Sequence, residues 1–145
     1  MVERKNQLLQ LVPDRVKGAL KRLNDQIWEK IIPLDVFVGP LSDGFISLEE
    51  VFHKNFSRIQ PSEYFSNSDW KSRWFRITIP QAAADQKGRR YLFWDVNGET
   101  TVFILGEPWC GLDVAHPSCP LPNEACSLYL DCGAYQTAIW MLDMD

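Results

Sequence analysis

No lysine or arginine follows Arg90, although the whole chain contains 15 of them. Segment 91–145 carries eight acidic residues, so its charge is −8 at pH 7 while that of the whole chain is −4. Nucleic-acid-binding surfaces carry dense basic clusters, and acidic side chains repel phosphates. We therefore expect no direct binding to nucleic acid.

Long apolar runs are also missing from the sequence. No segment approaches the roughly 20 apolar residues that a membrane-spanning helix needs. The N-terminus has no apolar core followed by a small-residue cleavage site. These absences predict a cytoplasmic protein without a membrane segment.

Motifs of the common enzyme classes are absent as well. The sequence contains no P-loop, dinucleotide-binding fingerprint, Gly-x-Ser-x-Gly elbow or HExxH motif. With only His53 and His116 as imidazoles, Cys110 offers the one thiol–imidazole pairing worth naming for nucleophilic catalysis. The sequence thus favours a protein that is not an enzyme, and it indicates no cofactor and no catalytic residue.

Cysteines occur only near the C-terminus, at Cys110, Cys119, Cys126 and Cys132. Zinc knuckles place two ligands two to four residues apart, and no cysteine pair here has that spacing. Free thiols are favoured over disulfides and over a metal site, and no metal site is predicted. If disulfides form, three connectivities are open.

Two helices are indicated in the first third of the chain. Pro13 suits the first turn of a helix, and an apolar stripe then recurs at helical spacing until Pro33. This pattern predicts an amphipathic helix. A second, short helix is predicted after Ser47, because Ser47 and Glu50 have the spacing of a capping box.

Strand patterns fill most of the remaining chain. The alternating segment 72–79 predicts a half-buried strand, and Tyr91–Leu105 reads as two apolar strands joined at Asn97 and Gly98. A calcium loop is excluded because the glycine stands at position four of the loop instead of six, and the bidentate glutamate is missing. Asn-Gly favours a type I′ turn, so a hairpin within a three-strand meander is predicted.

These elements predict a single α+β domain over residues 1–145. It would have an N-terminal helical segment at 1–32 and a sheet-rich body at 33–145, with a mainly antiparallel sheet of about five or six strands. An irregular excursion is expected at 106–126, followed by a final hairpin that turns near Cys132 and Gly133.

The acidic, aromatic C-terminal half suggests a recognition surface. Exposed tryptophan is a common interface hot spot, and complementary charge speeds capture of a partner. We therefore predict a protein-binding domain of the inhibitor, immunity or adaptor type that engages a basic protein. The predicted partner-binding residues are Asp95, Glu99, Glu107, Trp109 and Asp113. The alternatives are a carbohydrate- or small-ligand-binding domain and, less favoured, a hydrolase that uses carboxylates or a Cys/His pair.

Overall fold

The structure, a computed structural model, describes residues 16–23, 30–59, 71–86, 88–94, 96 and 98–133. The chain divides into two compact units, Met1–Pro33 and Leu34–Asp145, which are considered separately. In the first unit, residues 16–23 form helix α1. Much of the predicted amphipathic helix lies outside the described residues, so its extent and its apolar face stay predictions, as does the single-domain organisation.

The second unit consists mainly of antiparallel strands. Its elements are β1 (Val36–Ser42), α2 (Leu48–Phe52), β2 (Ser57–Arg58), β3 (Ser72–Ile79), β4 (Arg90–Phe93), β5 (Thr100–Ile104), β6 (Glu107–Leu112), β7 (Ser118–Leu121) and β8 (Cys126–Gly133). Six strands form one sheet in the order β2-β1-β3-β8-β5-β6, and β4 pairs with β7 in a second sheet. The prediction of a mainly antiparallel fold with few helices is confirmed.

The centre of the large sheet is the β3–β8 pair, which runs without interruption through eight residue pairs. Strand alternation puts Phe75 opposite Leu130 and Ile77 opposite Leu128, and all four side chains are buried. The same core includes Leu92 and Cys119 from the small sheet. The two sheets therefore share one hydrophobic core.

Helix α2 begins as the sequence predicts. The backbone N–H of Glu50 donates to the Ser47 hydroxyl at 3.3 Å, and the Ser47 N–H donates to the Glu50 carboxylate at 3.0 Å. Its last residue, Phe52, packs edge-on against Tyr129 of β8 with ring centroids 4.9 Å apart. No helix within the described ranges is long and apolar enough to cross a membrane.

The predicted hairpin over Tyr91–Leu105 is wrong. Strand β4 pairs with β7, whereas β5 pairs with β6 and β8. Trp94 continues the β4 alignment by donating its backbone N–H to Pro117 at 2.7 Å, and its ring packs edge-on against Phe75 at 5.1 Å. The chain therefore crosses from one sheet to the other between Trp94 and Thr100, and the three-strand meander does not form.

A tight hairpin does exist, but it joins β5 to β6. Ile104 is opposite Glu107, and the two residues between them, Leu105 and Gly106, have φ angles of 53° and 86°. Positive φ at both central positions is the signature of a type I′ turn. The predicted turn type therefore occurs at a site that lacks the Asn-Gly signal.

The C-terminal predictions also need correction. The expected irregular excursion at 106–126 contains β6 and β7, and the expected turn at Cys132 and Gly133 lies inside β8. Pro108 and Pro120 suggested a loop, but proline is tolerated in edge strands because an outward-facing N–H is not needed there. Strand β6 is an edge strand, and both strands of the small sheet are edges. The residues after Gly133 lie outside the described residues.

Candidate functional site

Antiparallel pairing brings the ends of four strands together at one end of the large sheet. Ser72 at the start of β3 is opposite Gly133 at the end of β8, and Thr100 at the start of β5 is opposite Leu112 at the end of β6. A cleft of about 500 Å³ opens at this end of the sheet. Its lining residues are Ser72, Glu99, Thr100, Thr101, Gly111, Leu112, Asp113, His116, Asp131 and Gly133.

Asp131 is the half-buried carboxylate of this cleft. Its β8 neighbours Leu130 and Cys132 point into the core, so alternation turns Asp131 to the opposite face of the sheet. Burial raises the pKa of the Asp131 carboxyl, and a hydrogen bond from Ser72 partly offsets that rise. Within the described part of the chain, its buried Oδ1 accepts no hydrogen bond. Asp131 therefore keeps unused hydrogen-bonding capacity.

Asp113 shapes the loop that follows β6. Its Oδ1 accepts hydrogen bonds from the backbone N–H groups of Ala115 at 2.8 Å and His116 at 2.6 Å. The His116 Nδ1 lies 3.1 Å from the same oxygen. The bonds from His116, backbone first and then ring, hold the pKa of the Asp113 carboxyl below its ordinary value. Asp113 is thus an ionised carboxylate that fixes the position of His116 at the cleft.

Glu99 adds an exposed carboxylate at the same end of the sheet. Its backbone carbonyl accepts a hydrogen bond from Gly133 at 2.8 Å, which ties the segment before β5 to the end of β8. The neighbouring Gly98 packs so closely that a Cβ there would lie 2.1 Å from the Gly133 carbonyl oxygen. The cleft wall around Glu99 therefore depends on close backbone contact.

The structure separates the predicted partner-binding residues. Glu99 and Asp113 line the cleft, but Glu107 begins β6 and Asp113 follows its end, about 20 Å further along the strand. Trp109 is the extra residue of a β-bulge, and its indole N–H donates to Pro120 at 2.7 Å. Asp95 lies outside the described residues. Only two of the predicted residues share the cleft, and a role for any of them in binding stays a prediction.

The predicted partner-binding residues did not include Asp131, Ser72 or His116. Asp131 carried a usable signal, because it interrupts an apolar strand at a position that alternates away from the core. Ser72 carried none, since its place in the cleft follows from the pairing of β3 with β8. His116 is placed by the loop contacts of Asp113, three residues earlier.

Hydroxyls and carboxylates dominate the chemistry of this cleft. Ser72 and Thr101 can donate or accept hydrogen bonds, while the carboxylates of Glu99 and Asp113 offer acceptor oxygens. No group of three or more His, Cys, Asp or Glu side chains is placed to hold a metal ion anywhere in the described ranges. The arrangement suits a ligand that presents several hydroxyl groups.

No curated protein matches the sequence. The family described as "Alpha-mannosidase, jelly roll domain" matches residues 32–138, roughly three quarters of the chain. This match overturns the predicted inhibitor, immunity or adaptor function, because it relates the chain to carbohydrate-processing proteins. It agrees better with the carbohydrate-related alternative. Acidic charge misled the prediction because it identifies no partner class by itself. Two antiparallel sheets around one core also agree with the fold in the family description, and the chain belongs to the family of alpha-mannosidase jelly roll domains.

Proposed function

We propose that this chain is a glycan-binding β domain of a glycosidase-type protein, and that its cleft holds α-linked mannose residues. The observation that carries the proposal is the family match over residues 32–138. We place the glycan-binding site in the cleft, because the cleft is concave and is lined by converging polar groups at one end of the large sheet.

Asp131 and Glu99 are the proposed acceptors for sugar hydroxyls. A carboxylate has two oxygens and can accept from neighbouring hydroxyls of one sugar ring, and hydrogen bonds to charged groups contribute about 1.5–3 kcal/mol. The half-buried carboxylate of Asp131 supports this role, because it lines the cleft and is only partly paired, and a buried acceptor without a partner is costly.

Ser72 and Thr101 would complete the recognition of the sugar. Their hydroxyls flank Asp131 on the two neighbouring strands, since Thr101 is directly opposite Asp131 and Ser72 hydrogen-bonds to it. His116, held by Asp113, adds an imidazole on the far side of the cleft. The combination is selective for a neutral polyol, because three carboxylates would repel an anionic ligand.

Isothermal titration calorimetry with α-mannobiose and α-mannotriose tests the proposal. Wild-type protein should bind, and Asp131→Asn and Glu99→Gln should each weaken binding by about tenfold or more, the loss expected for a hydrogen bond to a charged acceptor. Glu107→Gln is the matched control, because Glu107 is an acidic residue of the same half but lies outside the cleft. It should bind like the wild type.

Salt provides a second discriminating condition. Binding of a neutral sugar should change little between about 50 mM and about 500 mM NaCl, whereas an exposed ionic contact would weaken steeply because its charges are screened. Absence of heat with every mannoside, or equal loss in all three variants, would contradict the proposed site.

Glycoside hydrolysis is a second candidate function. Asp131 and Asp113 line one cleft, and their pKa values are shifted in opposite directions, as in acid and base pairs of glycosidases. Release of free mannose from the same oligosaccharides, lost in Asp131→Asn, would favour it. Binding without release would leave the domain as a binding module.

A further inference from the structure

Two cysteines meet where the two sheets come together. Cys110 lies on β6, opposite Val102, and Cys119 lies on β7, opposite Leu92. Cys110 packs against the hydrophobic cluster that contains Cys119, and each thiol affects the pKa of the other. Cys119 is buried and Cys110 is partly exposed, and both are free thiols. The pair therefore spans the large and the small sheet at one point.

The backbone around these thiols is fixed on both sides. The Trp109 indole N–H donates to Pro120 at 2.7 Å, and the Asp113 N–H donates to His116 at 3.2 Å. Both pairs, like Cys110 and Cys119, are centred on the same point of the β6–β7 loop. Strands β6 and β7 belong to different sheets, and these two hydrogen bonds join them on both sides of the cysteines. A disulfide requires Cβ atoms about 3.5–4.5 Å apart, and contacts on both sides of the pair favour that approach.

We propose that Cys110 and Cys119 are a disulfide-forming pair that links the edge strand of the large sheet to the small sheet. The oxidant is a low-molecular-weight disulfide. The Cys110 thiolate attacks one of its sulfurs, forming a mixed disulfide and releasing one thiol. The Cys119 thiolate then attacks the Cys110 sulfur and releases the second thiol. Two electrons pass from the protein to the oxidant, and both protons leave the protein's thiols.

Cys110 is the attacking thiol because it is the more exposed of the two. Burial raises the pKa of both thiols, so few are ionised at neutral pH. At Cys110 the neighbouring Cys119 thiol partly offsets this rise. Oxidation should therefore be slow at pH 7 and should accelerate about tenfold per pH unit while the attacking thiol remains mostly protonated.

The other two cysteines provide an internal control. Cys126 and Cys132 both lie on β8, about 20 Å apart along the strand, and cannot bridge to each other. The oxidised protein should therefore contain one disulfide and two free thiols. This inference does not depend on the proposed glycan binding.

Equilibration of the full chain with oxidised and reduced glutathione, followed by alkylation and mass spectrometry, tests the pair. Trypsin cannot separate the cysteines, because no lysine or arginine follows Arg90. Chymotrypsin cleaves after Trp109, Leu112 and Leu128, and the protease Glu-C cleaves after Glu124, so together they put the four cysteines in different peptides. The expected product is one linked species joining the peptides of Cys110 and Cys119. Four alkylated thiols, or a link to Cys126 or Cys132, would overturn the inference.

Thermal unfolding provides an independent readout. A disulfide closing this short loop should raise Tm by about 5–10 °C in a body of this size, and a reductant should reverse the rise. Cys110→Ser should abolish the redox-dependent shift, and Cys119→Ala should do the same without placing a hydroxyl in the core. Cys126→Ser should retain the shift. Equal Tm values for oxidised and reduced wild type, with the linked peptide present, would contradict a link that stabilises the sheet junction.

Discussion

The indole N–H of Trp94 donates a hydrogen bond to the Thr100 hydroxyl at 3.2 Å, and both side chains are buried. Trp94 follows the last residue of β4 in the small sheet, and Thr100 begins β5 in the large sheet. The bond therefore spans the crossing between the sheets. It satisfies the one polar atom of a large aromatic side chain that packs against Phe75 in the core.

Replacement of Thr100 by valine should remove this bond while preserving the shape of the side chain. We expect a loss of about 1–3 kcal/mol in the free energy of unfolding, because the Trp94 N–H would stay buried without an acceptor. Urea denaturation measures the loss. Thr78→Val is the matched control, since Thr78 is exposed on β3 and should change stability by less than about 0.5 kcal/mol. Equal effects of the two changes would mean that the bond contributes nothing.

The crossing between sheets also shows where sequence reasoning fails. The strand at 72–79 and the capping box at Ser47 and Glu50 could be predicted, because alternation and capping depend on neighbours along the chain. The pairing of β4 with β7 could not, because it depends on which distant strand completes each sheet. The Asn-Gly signal favoured a local hairpin, and packing of Trp94 against Phe75 overrides that preference.

The difference between local sequence patterns and the pairing of distant strands also explains which residues of the candidate site could be predicted. Glu99 and Asp113 were predicted because they belong to the acidic, aromatic C-terminal half, a property that the sequence displays. Their grouping with Trp109 failed because a bulge in β6 directs Trp109 toward β7. Asp131 joins the site only through the antiparallel pairing of β8 with β3 and β5. Register, which single-sequence patterns do not determine, decides which polar groups converge.

The β5–β6 turn offers a stabilising substitution. Leu105 has a φ angle of 53° and is 90% exposed, so its side chain gains little from packing and strains the backbone. Leu105→Asn should stabilise the protein by about 0.5–1 kcal/mol, because asparagine tolerates this conformation. Thermal unfolding gives the measurement. Val114→Asn, an exposed position without positive φ, serves as control and should not stabilise. A lower Tm for Leu105→Asn would contradict a strained turn.

Gly98 should tolerate no side chain. A Cβ there would lie 2.1 Å from the Gly133 carbonyl oxygen. This backbone is the end of β8, which cannot move aside without breaking its pairing with β3. Gly98→Ala should cost about 2 kcal/mol or more. At Gly111, by contrast, a Cβ meets nothing within 4 Å, and Gly111→Ala should be nearly neutral. Chemical denaturation of both variants tests the contrast, which would disappear if the contact at Gly98 were loose.

Two carboxylates of the cleft should affect stability with opposite dependence on pH. The pKa of Asp113 is lowered in the folded protein, so its stabilising contribution is present above the ordinary value of 3.8 and is lost as pH falls through the lower folded value. The pKa of Asp131 is raised, so the free energy of unfolding decreases as pH rises from 3.8 through the higher folded value.

Substitution by asparagine at each position separates these effects. Asp113→Asn should be less stable than the wild type at pH 7, and the difference should shrink as pH falls below 3.8. Asp131→Asn should be at least as stable at pH 7, because it removes a partly buried charge, and its advantage should shrink toward pH 3.8. Urea denaturation across this pH range measures both. The same sign for both variants at pH 7 would contradict the assigned environments.

The proposed function places α-linked mannose in the cleft at the strand ends of the large sheet. Its most direct test is a ¹H–¹⁵N NMR titration of the full chain with α-mannobiose, with the β-linked glucose disaccharide cellobiose as the control ligand. We expect saturable shifts at the amides of Glu99, Thr101 and Asp131, with little change at Glu107 and none with cellobiose. Absence of saturable shifts with α-mannobiose, or shifts confined to residues outside the cleft, would contradict the claim.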